Sequence, residues 1–353
     1  MVRLAPSEHY RFAQSCPGSM DLTFGGAESS VAASISMLGG SSRFVSALPQ
    51  HAIADAFVRQ MRGFKVDVDH VLRREAGRFG IYYVETGANQ RPSRVIYDRD
   101  YSAVSICSGE EYDWDAIFAD AQWLHISGIT LAISETAAHA AILAAGKAQA
   151  AGVKVSCDLN FRKNLWRWRS GSDARSLARS VMPDFLEYVN VIIGNEEDAA
   201  DVLDIHAGDT DVHSGSLEIS HYPDVARQIA QRFNNVDQVA ITLRESISAT
   251  HNNWGAMLFD VSSDTAVFAP MNGEQYEPFE IRNIVDRVGG GDSFAAGLIY
   301  AMTTKDFSTA QDQVNFAVAA SCLAHSVKGD FNFTSRAEVE ALANGNASGR
   351  VQR

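Results

Sequence analysis

Cysteine is scarce in this chain, with four in 353 residues. Cys16, Cys107, Cys157 and Cys322 lie far apart and form no C-x-x-C pair, which excludes a disulfide framework or a zinc ribbon and leaves incidental thiols. The ten histidines form no H-E-x-x-H motif and no cluster with cysteine. His125, inside Trp123-Leu124-His125-Ile126, reads as a core or pocket-edge residue rather than a metal ligand. No stretch approaches the ~18 apolar residues of a membrane-spanning helix. Nor does the N-terminal region show a basic segment followed by an apolar one. These absences lead to the expectation of a cytoplasmic protein with no membrane partner. Basic residues are also outnumbered, 30 against 43 acidic ones, for a net charge of −13. That balance excludes a general nucleic-acid partner but not a nucleotide, whose few phosphates need only a local positive spot.

Three catalytic signatures are missing as well. Gly146-Lys147 lacks the preceding P-loop glycine and is followed by Ala148. The run Gly289-Gly290-Gly291 does not fit G-x-G-x-x-G and lies far along the chain. There is no G-x-S-x-G nucleophile elbow. With 46% hydrophobic and 21% charged residues, the chain can form one large α/β domain or two smaller ones.

The most informative stretch present is Asp286-Arg287-Val288-Gly289-Gly290-Gly291-Asp292, followed by the apolar helical pattern of Phe294, Leu298, Ile299 and Met302. Glycines let the backbone turn tightly and leave N–H groups uncovered. A helix N-terminus adds unpaired amides and the positive end of the dipole, so this point favours an anion. Asp292 beside such a cradle is open to two readings. It is either a helix N-cap, or a base that takes a proton while the amides hold a phosphoryl group.

Along the chain, loose alternation near Met1–Leu4 and Tyr10–Phe12 reads as short strands. Gly25-Gly26 opens a small-residue helix to Leu38, either as a plain turn or as a place where a ligand approaches the backbone. Phe44–Leu48 reads as a strand and Ala52–Met61 as a helix. The β-rich segments Phe79–Val84 and Arg94–Tyr97 flank a hairpin-like link and suggest a strand-built flap on an α/β body. From Trp123 onward strands at 123–126, 153–158, 189–193 and 239–243 alternate with helices. This order predicts a mostly parallel sheet covered on both faces, with ligands at the carboxyl ends of its strands. The polar groups Asp158-Leu159-Asn160-Phe161-Arg162, Asn195 to Asp198 and Thr242-Leu243-Arg244 fall at those ends.

The glycine run with Asp292, the early Phe24-Gly25-Gly26-Ala27-Glu28 and the acidic Asn195 to Asp198 resemble the ribokinase-like (PfkB) carbohydrate kinases. Gln90 to Arg99, Asp158 to Arg162 and the tail Gly349 to Arg353 are similar to the 2-keto-3-deoxygluconate kinase branch. The resemblance covers nearly the whole chain. It implies an α/β core over 24–78 and 106–353, with a β lid from 1–23 and 79–105. It also implies ATP and Mg²⁺ as cofactors, a sugar acid as substrate, and a homodimer or larger homo-oligomer formed through the lid.

By the same resemblance Asp292 deprotonates the sugar's terminal hydroxyl and Gly289, Gly290 and Gly291 form the anion hole. The helix dipole there is expected to lower the carboxyl's pKa. Gly26, Ala27 and Ser30 contact the sugar, Tyr82 packs from the flap, and Tyr97, Arg99 and Arg162 hold its carboxylate and hydroxyls. Asn160, Asn195, Thr242, Arg244, Asn315 and Ala319 line the nucleotide groove, while Glu197 and Asp198 bind magnesium through water. The chain departs from the family pattern at Ser30, where Asn is usual, and at Asp198, where Glu is usual. A strand that most members carry before the Met1–Pro6 segment is also absent, which leads to the expectation that the sequence begins downstream of a true start. Two other functions stay open: a kinase for a neutral sugar or nucleoside, and a non-catalytic sugar or nucleotide sensor.

Overall fold

A computed structural model describes residues 1–195, 197–206 and 219–346. Glu196 and the tail 349–353, which figured in the resemblance, lie outside the described residues. The strands in chain order are β1 (Val2–Ala5), β2 (Asp21–Phe24), β3 (Ser46–Pro49), β4 (Val71–Arg74), β5 (Ile81–Glu85), β6 (Arg94–Asp98), β7 (Trp123–Ser127) and β8 (Lys154–Asp158). They continue as β9 (Val191–Asn195), β10 (Gln238–Ser248), β11 (His251–Asp260), β12 (Thr265–Ala269), β13 (Met271–Asn272), β14 (Gln275–Tyr276) and β15 (Phe279–Arg282).

The main sheet has seven strands in the order β12-β11-β10-β9-β8-β7, with β15 also on β11. The strands β7 to β10 run parallel, whereas β10, β11, β12 and β15 pair antiparallel. Period-two side-chain alternation fixes both faces. Val191 and Ile193 of β9 pack with Phe294, Leu298, Val314 and Val318 on one side. Ile192 of the same strand, with Val239, Ile241 and Leu243 of β10, packs with Leu177, Phe185 and Ile229 on the other. A strand buried on both faces must be apolar throughout, as Val191-Ile192-Ile193 is.

A second sheet has the order β2-β1-β5-β6 and takes strands from both flap segments. Here Val2 pairs with Ile81 in parallel register and Tyr82 with Tyr97 antiparallel. The segment expected as a strand at Tyr10–Phe12 instead forms a short helix, Phe12–Ser15, whose start is tied down by the Phe12 amide donating to Glu85. Among the described residues the strand β3 pairs only with β4, and it faces β7, the last strand of the main sheet, across a cavity of about 700 Å³. That cavity is lined mainly by apolar side chains such as Val31, Phe57, Leu124 and Ile133. No described helix is long and apolar enough to cross a membrane.

Candidate active site

The polar residues converge instead on a smaller cleft of about 300 Å³, between the four-stranded sheet and the carboxyl ends of β8, β9 and β10. We assign the chemistry to this cleft, because catalysis needs convergent polar groups more than volume.

Its base is the helix Gly290–Thr303. Gly289 caps it in the left-handed region, at φ 87°. A Cβ there would stand 2.4 Å from the Asp330 carbonyl oxygen, so only glycine fits without a shift. The helix begins with Ser293 N–H donating to Gly289 O at 2.8 Å. The amides of Gly290, Gly291 and Asp292 precede that bond and have no carbonyl one turn back. Gly291 is exposed and Asp292 half-buried at the cleft floor. An anion at this point meets bare amides on one side and a carboxylate on the other.

The walls follow from strand ends. Asp158, the last residue of β8, is buried, and Asn160 beyond it holds a left-handed φ of 42° while donating from Nδ2 to Ser127 Oγ. Arg162 is exposed at the rim. Asn195 at the end of β9 accepts from the amides of Glu197 and Asp198. From β10 come Thr242 and Arg244, and from the start of the helix Ala27–Met37 come Gly26, at φ 135°, and Ala27. The four-stranded sheet contributes Tyr82 and Tyr97, and Arg99 follows just beyond β6. Arg99 has a buried Nε with no partner, and burial draws its pKa below the ordinary value. A desolvated guanidinium with an unused N–H is poised for an anionic ligand.

Other expected residues lie elsewhere. Ser30 is not at the cleft: one turn into its helix, it is fully buried with its hydroxyl unpaired. Asn315 accepts from Gln311 on the same helix, away from the cleft. Ala319 packs in an apolar cluster with Leu38, Tyr300 and Phe316, away from the cleft.

Glu197 and Asp198, expected to bind magnesium through water, part company in the structure, and only Asp198 lines the cleft. Glu197 is exposed and off the cleft. Asp198 is buried, and its two oxygens accept from the amides of Phe161 and Asn195, each at 3.0 Å, so it ties the ends of β8 and β9 together. Among the described residues no three His, Cys, Asp or Glu side chains group to hold an ion.

Several cleft residues carried no signal in local sequence, namely Asn252, Trp254, His325 and Asp330, while Arg287 stood in the glycine-run stretch but was given no role. Arg287 donates to Asn252 and lines the cleft beside Arg244. The electrostatics also correct an expectation. Burial, reinforced by the Asp158, Asp330 and Glu28 charges, pushes the Asp292 carboxyl well up from the ordinary range, against Arg162. The helix dipole is outweighed by desolvation and by neighbours of like sign. Burial and Asp198 likewise push Asp158 up to about 7.

An amide cradle and a carboxylate at one helix start, at the strand-end crevice of an α/β sheet, define a phosphoryl transferase. A family model described as pfkB family carbohydrate kinase matches residues 9–336. The chain is 30% identical to a 2-dehydro-3-deoxygalactonokinase of Haloferax volcanii over 99% of this chain and 96% of that one. Among solved structures, the 2-dehydro-3-deoxygluconokinase of Thermotoga maritima superposes with a TM-score of 0.87 at 41% identity, covering 98% of this chain and 97% of that one. A PfkB family carbohydrate kinase of Listeria grayi gives 0.83 at 26% identity, over 98% and 97% respectively. The chain belongs to the PfkB family of carbohydrate kinases.

Proposed function

We propose that this chain transfers the γ-phosphoryl group of magnesium-bound ATP to the terminal 6-hydroxyl of 2-keto-3-deoxygluconate or a closely related sugar acid. The observation that carries the reading is Asp292 at the cleft floor beside the uncapped amides of Gly290 and Gly291, with Arg99, whose buried Nε has no hydrogen-bond partner, in the same cleft. Asp292 takes the hydroxyl proton, the freed oxygen attacks the γ-phosphorus, and the bond to the bridging oxygen of ADP breaks. The amides hold the charge on the moving group. A base whose pKa lies nearer the working pH accepts that proton more effectively than an ordinary Asp. Arg99 and Arg162 bind the sugar's carboxylate, which a planar guanidinium matches. Arg244 and Arg287 face the nucleotide phosphates.

The four-stranded sheet acts as a lid that excludes water from the transfer. Its outer strands expose Leu22 at 49% and Ile96 at 54%, and we assign these to a lid-to-lid homodimer. Loss of the dimer on sedimentation of Ile96→Glu tests that assignment.

The functional test is a coupled ADP-release assay with a panel of sugar acids and neutral sugars. The reading expects turnover of 2-keto-3-deoxy sugar acids well above that of ribose or fructose. Equal or greater turnover of a neutral sugar would overturn it.

A further inference from the structure

A buried ionic cluster next to the cleft is left unexplained by that reading. Arg3 of β1 is only 2% exposed. It donates from Nη2 to Asp286 Oδ2 at 2.5 Å and from Nη1 to Asp330 Oδ1 at 3.1 Å. The Tyr82 hydroxyl of β5 donates to the same Asp330 oxygen. Two lid strands are thus fastened to two carboxylates of the core.

Both acidic residues border the glycine turn, Asp286 through its carboxylate and Asp330 through its backbone. Asp286 Oδ1 accepts from the Val288 amide at 3.1 Å, one residue before Gly289, and Oδ2 accepts from Gly329 at 3.2 Å. Asp330 lies next to Gly329, and its carbonyl lies against Gly289 closely enough to exclude a Cβ. One guanidinium between two desolvated carboxylates is a poor way to gain stability. It is an effective way to fix distance and angle, because the guanidinium fork has a rigid geometry.

We propose that Arg3 is a positioning residue that couples the lid to the anion cradle, so that the Gly289–Gly291 amides are aimed only while the lid strands are docked. The inference rests on the kinase reading. It adds to it a residue that touches neither substrate but sets the geometry of transfer.

The test is Arg3→Ala, assayed for kcat and for both KM values with and without millimolar guanidinium, together with amide hydrogen exchange. Turnover is expected to fall about 100-fold, as for a small misplacement of catalytic groups, with the KM for ATP changed less than about threefold. Guanidinium is expected to recover about tenfold of the loss in the variant and nothing in the parent, because only the variant has a vacant site for it. Exchange is expected to rise together in residues 81–98 and 288–292, and to fall together on rescue. A kcat within about threefold of the parent, a loss that guanidinium leaves untouched, or lid exchange rising while the turn stays protected would each overturn the proposal. If Arg3→Ala does not fold, Tyr82→Phe replaces it, with a smaller fall in kcat and the same paired rise in exchange; unchanged exchange in the turn overturns the proposal. If the parent lacks sugar-acid kinase activity the functional reading fails alone, and the exchange arm still decides the coupling.

Discussion

The Asp158 carboxylate lies against the residue that precedes Asp292: a Cβ on Gly291 would stand 4.0 Å from Asp158 Oδ2. Its charge is the main one that raises the Asp292 pKa after burial itself. Two carboxylates in one desolvated pocket titrate as a pair, so the acid limb of the pH–rate profile belongs to both. For the parent enzyme, kcat/KM is expected to fall with decreasing pH through an apparent pKa well above that of a free Asp. In Asp158→Asn the limb is expected to move to lower pH. A limb that stays in place in the variant would show that the two groups do not interact.

The same shift has a consequence for stability. Asp158 is raised from 3.8 to about 7, so between those values the folded chain holds a proton that the unfolded chain has released. Stability then falls as pH rises across the window. The ligand-free protein is expected to lose Tm between about pH 4 and pH 7 more steeply than Asp158→Asn, whose amide does not titrate. Parallel Tm curves for the two proteins would contradict this sign.

Asp292→Asn separates chemistry from folding. The amide keeps the shape of the side chain but cannot take the proton, so kcat is expected to drop by about three orders of magnitude. Because the variant removes a carboxyl that burial disfavours, its Tm is expected to equal or exceed the parent's at neutral pH. Near-parent turnover in the coupled ADP-release assay would take Asp292 out of the catalytic role.

Much of this site was legible in local sequence, and what was not has identifiable physical causes. Gly289 to Asp292 were readable because a glycine turn before an apolar helix encodes its own geometry within a few residues. The strand-end groups Asp158, Asn195 and Thr242 followed from the βα alternation. The antiparallel strands β11, β12 and β15 did not, because their positions in the sheet are set by pairing with β10 rather than by a crossover. Asp330 reaches Tyr82 across a separation of 248 residues, so no window of sequence contains that contact. The placement of Ala319 in the core and of Asn315 off this cleft was not legible, because a helix of small residues has no strong apolar stripe to show which side faces the core. The expected pKa direction at Asp292 failed because burial and three neighbouring carboxylates act through tertiary structure.

Two glycines with nearly the same backbone isolate the value of close packing at the turn. Gly289 has φ 87° and Gly171 has φ 82°, but a Cβ at Gly171 meets nothing within 4 Å, whereas at Gly289 it meets backbone at 2.4 Å. Gly171→Ala is expected to cost about 1 kcal/mol from conformation alone. Gly289→Ala is expected to cost about 2 kcal/mol more from the clash, with a larger loss of kcat than of stability. Equal unfolding midpoints in urea for the two variants would remove the clash from the account.

Substrate choice is expected to rest on Arg99. Its Nε is buried and unpartnered, and its pKa is lowered by burial with Glu28 opposing that shift, so the guanidinium is held charged in a poorly solvated place. A bound carboxylate would satisfy that donor and offset the desolvation, whereas a sugar with no group to reach it would leave the buried donor unsatisfied. Arg99→Met keeps the aliphatic stem and removes both effects. The KM for the sugar acid is expected to rise about 10- to 100-fold, the range for losing a hydrogen bond to a charged group. The KM for ATP is expected to stay within about twofold, and the weak turnover of fructose to hold or increase, since the variant no longer buries an unsatisfied donor against it. Arg162→Met, at the exposed rim, is expected to have a smaller effect in the same direction, because solvent screens its charge. If Arg99→Met raises the KM for ATP and spares the sugar acid, Arg99 belongs to the nucleotide, and discrimination between acidic and neutral sugars must come from Arg162 alone.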